Sequence, residues 1–149
     1  MARYAAEVNR TAGAGLTVGS VVADGTTPHR GKLYDLVMGS EATPADNAFN
    51  WIVGRVTAAG TSTAVTAIAL DPADAAALAD VGENHTVEPT YTANQTLLSI
   101  SLNQRATFRW VAYPGGELVY PATAANGLGV KTPTASAVVV SATLHFDEQ

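Results

Sequence analysis

The chain has 149 residues, a net charge of -5 and a pI near 4.9, and only 14% of its residues are charged. It has no cysteine, which excludes a disulfide framework and thiolate chemistry. Its eight basic residues are scattered, so the clustered Lys and Arg that grip phosphate backbones are missing, and nucleic acid is not an expected partner.

One domain is the expectation at this length. Such a chain can bury roughly 70% of the surface its unfolded form exposes, so it needs no metal or disulfide to fold. A soluble domain is typically about 25% charged. Neutral Ala, Thr, Gly and Ser surface sheds water cheaply, which points to assembly; an Ala-rich coding bias is the competing explanation. The N-terminus lacks the apolar core of a signal peptide, and no apolar run approaches a membrane span. The expectation is a soluble product made in the cytoplasm, with no membrane partner.

Residues 1–15 read as an N-terminal arm, with Arg3, Tyr4 and Arg10 as anchoring groups and Thr11-Ala12-Gly13-Ala14-Gly15 as a flexible junction. Residues 16–149 read as a single β domain. Strands are predicted over Leu16–Ala23, Lys32–Met38, Ala48–Ala58 and Thr63–Leu70. The turn Asp24-Gly25-Thr26-Thr27-Pro28 and the loop from Glu41 to Asn47 separate the first three.

A short helix is predicted over about 71–81. Asp71 can cap it, Pro72 suits its first position, and Asp74 favours its positive end. Leu78 and Val81 can face the core together, and Gly82 can close it. Beyond it comes an irregular crossing with a short strand at Thr86–Glu88.

Thr96–Leu102 and Ala106–Tyr113 follow, read as a hairpin about Asn103-Gln104-Arg105. Glu117–Tyr120 is another strand, Asn126-Gly127 a turn, and Lys131–Thr134 a loop. Ala137–Phe146 closes the pattern, with Val138, Val140, Ala142, Leu144 and Phe146 on one face. Eight to ten regularly spaced strands imply an all-β fold, an antiparallel jelly roll, β-sandwich or barrel.

Recognisable site chemistry is absent from this pattern. His29, His85 and His145 share no metal-ligand spacing and read as surface histidines. Asp80, Glu83 and Glu88 are the carboxylates that a hydrolase reading would use, but nothing specifies a paired acid and base. No Gly-x-Ser-x-Gly elbow or phosphate-cradling glycine loop occurs. No catalytic residue, metal or cofactor is therefore assigned. Trp110 shares a strand face with Phe108 and reads as core. Trp51 is core or a stacking platform for a sugar. Arg105 and Arg109 alternate outward and could engage carboxylates at an interface.

The stretch from Ser101 to Val119, together with Asn84–Tyr91 and the closing strand, resembles the small β-rich decoration, or cement, proteins of tailed bacteriophages. That resemblance implies a non-enzymatic virion protein on the capsid exterior, made in the host cytoplasm. It also implies the major capsid protein as partner and a homo-oligomer, a trimer in many such proteins. Arg3, Tyr4, Arg10, Arg105 and Arg109 are the expected partner-binding residues, read from the chain itself. The alternative is a carbohydrate-binding or receptor-binding β-sandwich module of a virion.

Overall fold

Period-two alternation places one residue of each pair in the core and the next in water, and it organises nearly the whole chain. The computed structural model describes residues 1–133 and 137–149. Its strands are β1 (Arg3–Thr11), β2 (Leu16–Val22), β3 (Gly31–Ser40), β4 (Ala48–Ala58), β5 (Thr61–Val65) and β6 (Ile68–Ala69) in the first half. The second half holds β7 (Asp80–Val87), β8 (Thr90–Asn103), β9 (Phe108–Val111), β10 (Leu118–Tyr120), β11 (Gly127–Thr132) and β12 (Val139–Glu148). No helix occurs among the described residues.

Two antiparallel six-stranded sheets form a β-sandwich. In the first, β9 and β10 both pair with β3, and the order continues through β12 and β1 to β6. The second runs β5-β7-β2-β11-β4-β8. The core lies between them. Tyr4, Ala6, Val8, Leu33, Leu36, Met38, Leu144 and Phe146 face Val18, Val21, Phe49, Trp51, Val53, Leu128 and Val130, and all are at most 2% exposed. Each large aliphatic or aromatic side chain buried there stabilises the fold by about 1.5–3 kcal/mol.

The second sheet also curls on itself. Only Ala59–Gly60 separate β4 from β5, and only Glu88–Pro89 separate β7 from β8. The β4·β8 pairing (Val56↔Tyr91, Ala58↔Thr90) therefore runs on into β5·β7 (Thr61↔Val87, Thr63↔Glu83) as one bent ribbon. Gly60 makes the bend possible. Its φ is 73°, and a Cβ there would lie 2.2 Å from the Val87 carbonyl oxygen.

Several expectations are corrected. Residues 1–15 are not an arm. Nine of them form β1, paired with β12 from Arg3↔Asp147 to Thr11↔Val139, with β6 on the other side. Tyr4, Ala6 and Val8 point inward while Arg3, Glu7 and Asn9 point outward; the small alanines hid that alternation. The helix over 71–81 is absent. Asp71 caps one turn only, accepting from the Ala73 N–H at 2.9 Å, and the chain then runs irregularly to β7. Glu148 takes the Leu78 and Ala79 N–H groups that a helix would pair internally. Val81 and Gly82 instead pair with Val21 and Ser20, so tertiary strand pairing overrides the helix signals.

Asn103-Gln104-Arg105 is not a hairpin either. β8 pairs with β4 and β9 with β3, so this connection crosses from one sheet to the other. The predicted strand Thr63–Leu70 divides at Thr66–Ala67 into β5 and β6, one in each sheet. β11 begins at the predicted turn residue Gly127 and runs into the predicted loop at Lys131–Thr132; Thr134 lies outside the described residues.

Candidate partner-binding surface

Alternation along β1, β3, β9 and β12 sends one set of side chains away from the core. On β3 and β9 the registers Asp35↔Val111 and Val37↔Arg109 place those four on the outer face, because Leu36 and Met38 are buried. On β12 and β1, His145 and Arg3 occupy the same face. This surface combines charge, aromatic rings and exposed aliphatic groups.

Asp35 organises its centre. Only 4% exposed, it accepts two hydrogen bonds from Arg109 Nε at 3.0 and 3.1 Å and is ion-paired with the same guanidinium. The Arg109 hydrogen bonds hold the Asp35 carboxyl below its usual value, overcoming burial. His145 Nδ1 lies 3.8 Å from the same carboxylate. Arg3 lies over the Tyr34 ring, 5.8 Å from its centroid, within cation-π range.

Beyond Val111 the chain makes a loop from Ala112 to Glu117. There Tyr113 is 75% exposed, and its ring lies across Gly116, where a Cβ would sit 2.5 Å from the ring. An exposed tyrosine held in place beside an exposed valine and an oriented arginine has the composition of a protein-contact centre.

The five residues expected to bind a partner have separate fates. Arg3 and Arg109, far apart in sequence, reach the same outer face. Arg105 is exposed in the crossing between sheets, with Nε 3.4 Å from the Pro44 carbonyl. Tyr4 is a core residue, 2% exposed, whose hydroxyl donates to the Ala75 carbonyl at 3.2 Å. Arg10 points into the molecule. It donates to the carbonyls of Thr17 (3.0 Å) and His85 (2.9 Å) and to Glu88 Oε1 (2.7 Å). Tyr4 and Arg10 therefore hold the fold together rather than offering groups to a partner. Tyr34, Asp35 and Tyr113 were missed. The strand alternation could have flagged Asp35, and the Pro-Gly-Gly turn could have flagged Tyr113.

Most of the other candidate residues lie on or beside the curled sheet. Trp51 is 2% exposed and is no stacking platform. Trp110 is only half-buried, at the rim of the core. Asp80, Glu83 and Glu88 do not converge on one another through shared contacts: Glu83 accepts the Asn9 N–H, and Glu88 accepts from Arg10 and the Thr17 N–H. Asp80 lines an open groove with Ser62 and Gly82. Among the described residues no three His, Asp or Glu side chains are grouped to hold a metal ion.

His85 is not a surface residue. It is 3% exposed, with Nε2 3.1 Å from Ser20 Oγ. Burial lowers its pKa below the usual 6.5 despite the nearby Glu88 charge. The unfolded chain therefore takes up a proton below pH 6.5 that the folded chain resists, and stability falls as the pH drops through that range. Burial would raise Glu88, but its bonds from Thr17 and Arg10 prevail and lower it below 4.5, so a second loss sets in under that pH. We expect the melting temperature to fall between about pH 7 and about pH 5, with a shallower slope in His85→Gln. Differential scanning calorimetry across that range checks this, and an unchanged slope in the variant would remove His85 from the account.

Comparison of the sequence with protein-family models and with curated proteins finds no match to either.

Proposed function

We propose that this protein is a non-enzymatic structural component of a tailed-phage virion that binds the outer surface of the capsid and cements neighbouring capsid subunits. The reading starts from the sequence resemblance. The observation that carries it is the outer face of the β9-β3-β12-β1 strands, which carries Arg3 over Tyr34 and Arg109 on Asp35, with Val111 on the same face and Tyr113 in the adjoining loop. Val111, at the end of β9, is 56% exposed and Tyr113, in the loop that follows, 75% exposed, and the Arg109 guanidinium beside them is oriented by Asp35. Such a surface suits a flat protein lattice better than a small molecule.

A clamp of this kind stabilises a lattice by mass action, because it binds the closed array better than separated subunits. An oligomer would add avidity. The partner is the major capsid protein, and the location is the capsid exterior.

The test is cosedimentation with capsids that lack the protein. Wild type should bind stoichiometrically and raise the capsid melting temperature. The double variant Arg3→Glu, Tyr113→Ala leaves the Arg109–Asp35 pair intact, should keep its own melting temperature near wild type and should bind about tenfold to a hundredfold more weakly. Absence of wild-type binding would end the capsid reading, and equal binding by the double variant would remove this face from it.

A further inference from the structure

The longest strand of the molecule is also an open edge. β8 spans Thr90–Asn103 and, among the described residues, pairs only with β4. Proteins usually protect such an edge with charge, proline or a bulge. Here residues 91–104 contain neither a charged residue nor a proline, and the bulges in the pairing with β4 all precede Leu98, which leaves Leu98–Asn103 regular. Its inward row, Leu98, Ile100 and Leu102, is only partly buried, although the register sets it beside Val53, Trp51 and Phe49 of the core. The four-residue crossing to β9 brings the edge of the other sheet to the same flank, where Phe108 is 40% exposed. Apolar side chains at the sandwich rim are thus half-covered, beside a strand that has no second strand partner among the described residues.

The sequence of this edge is complementary to itself. Leu98-Ser99-Ile100-Ser101-Leu102 reads the same in both directions. Antiparallel pairing of this segment with itself about Ile100 sets Leu98 against Leu102, Ser99 against Ser101 and Ile100 against Ile100. All inward residues stay on one face and all outward serines on the other, and no like charges meet.

We infer that β8 is a self-pairing edge, to which a second copy of this chain adds its own β8 antiparallel about Ile100 across a two-fold axis. The contact is isologous and closed. Once β8 is covered, the other end of that sheet offers only the five-residue β5, so growth stops at two copies. This two-fold contact differs from the threefold assembly that the resemblance implies, and it does not depend on capsid binding.

Exposed Ser99 and Ser101 permit a test that leaves the core untouched. Light scattering coupled to size exclusion, over a dilution series, should give wild type a mass twice the 15.3 kDa of one chain. Ser99→Lys with Ser101→Lys sets like charges opposite each other and should weaken association about tenfold or more, with an unchanged melting temperature. Ser99→Lys with Ser101→Glu sets opposite charges across the axis and should remain dimeric. A monomeric wild type at every concentration would overturn the inference. So would a dimer or trimer indifferent to the double lysine variant, or a lysine–glutamate variant as dissociated as the double lysine one.

Discussion

Trp51→Ala is expected to destabilise the fold by about 3–5 kcal/mol, the usual range for deleting a buried aromatic side chain. Trp51 is 2% exposed and sits edge-on to Phe49, with ring centroids 5.7 Å apart at 74°. Removing the indole takes away its buried area and leaves a cavity that the sheets cannot collapse, because β4 is pinned on both sides by β11 and β8. A domain has only about 5–15 kcal/mol of stability in total. At this chain length the loss corresponds to a drop of roughly 10–15 °C in melting temperature. Urea unfolding followed by circular dichroism measures it, and Trp51→Phe should lose far less. A near-neutral Trp51→Ala would mean that the core does not lie where the structure puts it. The same burial decides a functional question: any loss of glycan binding in Trp51→Ala would report unfolding, since the ring cannot reach a sugar.

The second large effect belongs to Arg10. Its guanidinium ties β1 to β2 and to the exit of β7 through Thr17, His85 and Glu88. Arg10→Ala leaves two carbonyls and a carboxylate without their cationic donor, and buried groups abandoned in this way cost more than the pair itself contributes. About a third of the Glu88 side chain remains in water, so we place the loss near the low end for a broken buried pair, about 3 kcal/mol. Glu88→Gln, which can still accept from the Thr17 N–H, should cost about 1–2 kcal/mol. A double-mutant cycle in urea should give a coupling of about 1 kcal/mol or more. Additive losses would show that the two side chains do not act together.

How far the sequence was legible depended on where each strand's partner lies. β4 was predicted with its observed bounds, Ala48–Ala58, because alternating large apolar residues mark it without reference to any neighbour. β12 and the second half of β8 were legible for the same reason. β1 was not, since alanine occupies part of its buried row. The start of β7 was hidden by the helix signals that run from Asp71 to Gly82, and only its pairing with β2 and β5 reveals it as a strand. β11 was obscured by Gly127 and Gly129. Gly129 is required because the Tyr91 hydroxyl would lie 2.3 Å from any Cβ there.

The partner-binding residues divided along the same line. Outward alternation found Arg109, and the odd spacing of Arg3 and Arg10 sets them on opposite faces of β1 once that segment is read as a strand rather than an arm. What each then meets could not be read locally: Glu88 and two carbonyls for Arg10, the Tyr34 ring for Arg3.

Electron cryo-microscopy of capsids lacking the protein, after addition of the purified chain, tests the proposed role most directly. The expected map shows ordered density on the capsid exterior bridging adjacent subunits, with the β3–β9 outer face toward the lattice and Arg3, Arg109 and Tyr113 in contact. Bare capsids at saturating protein would contradict the account, as would density attached through a different face with Arg3 and Arg109 turned to solvent.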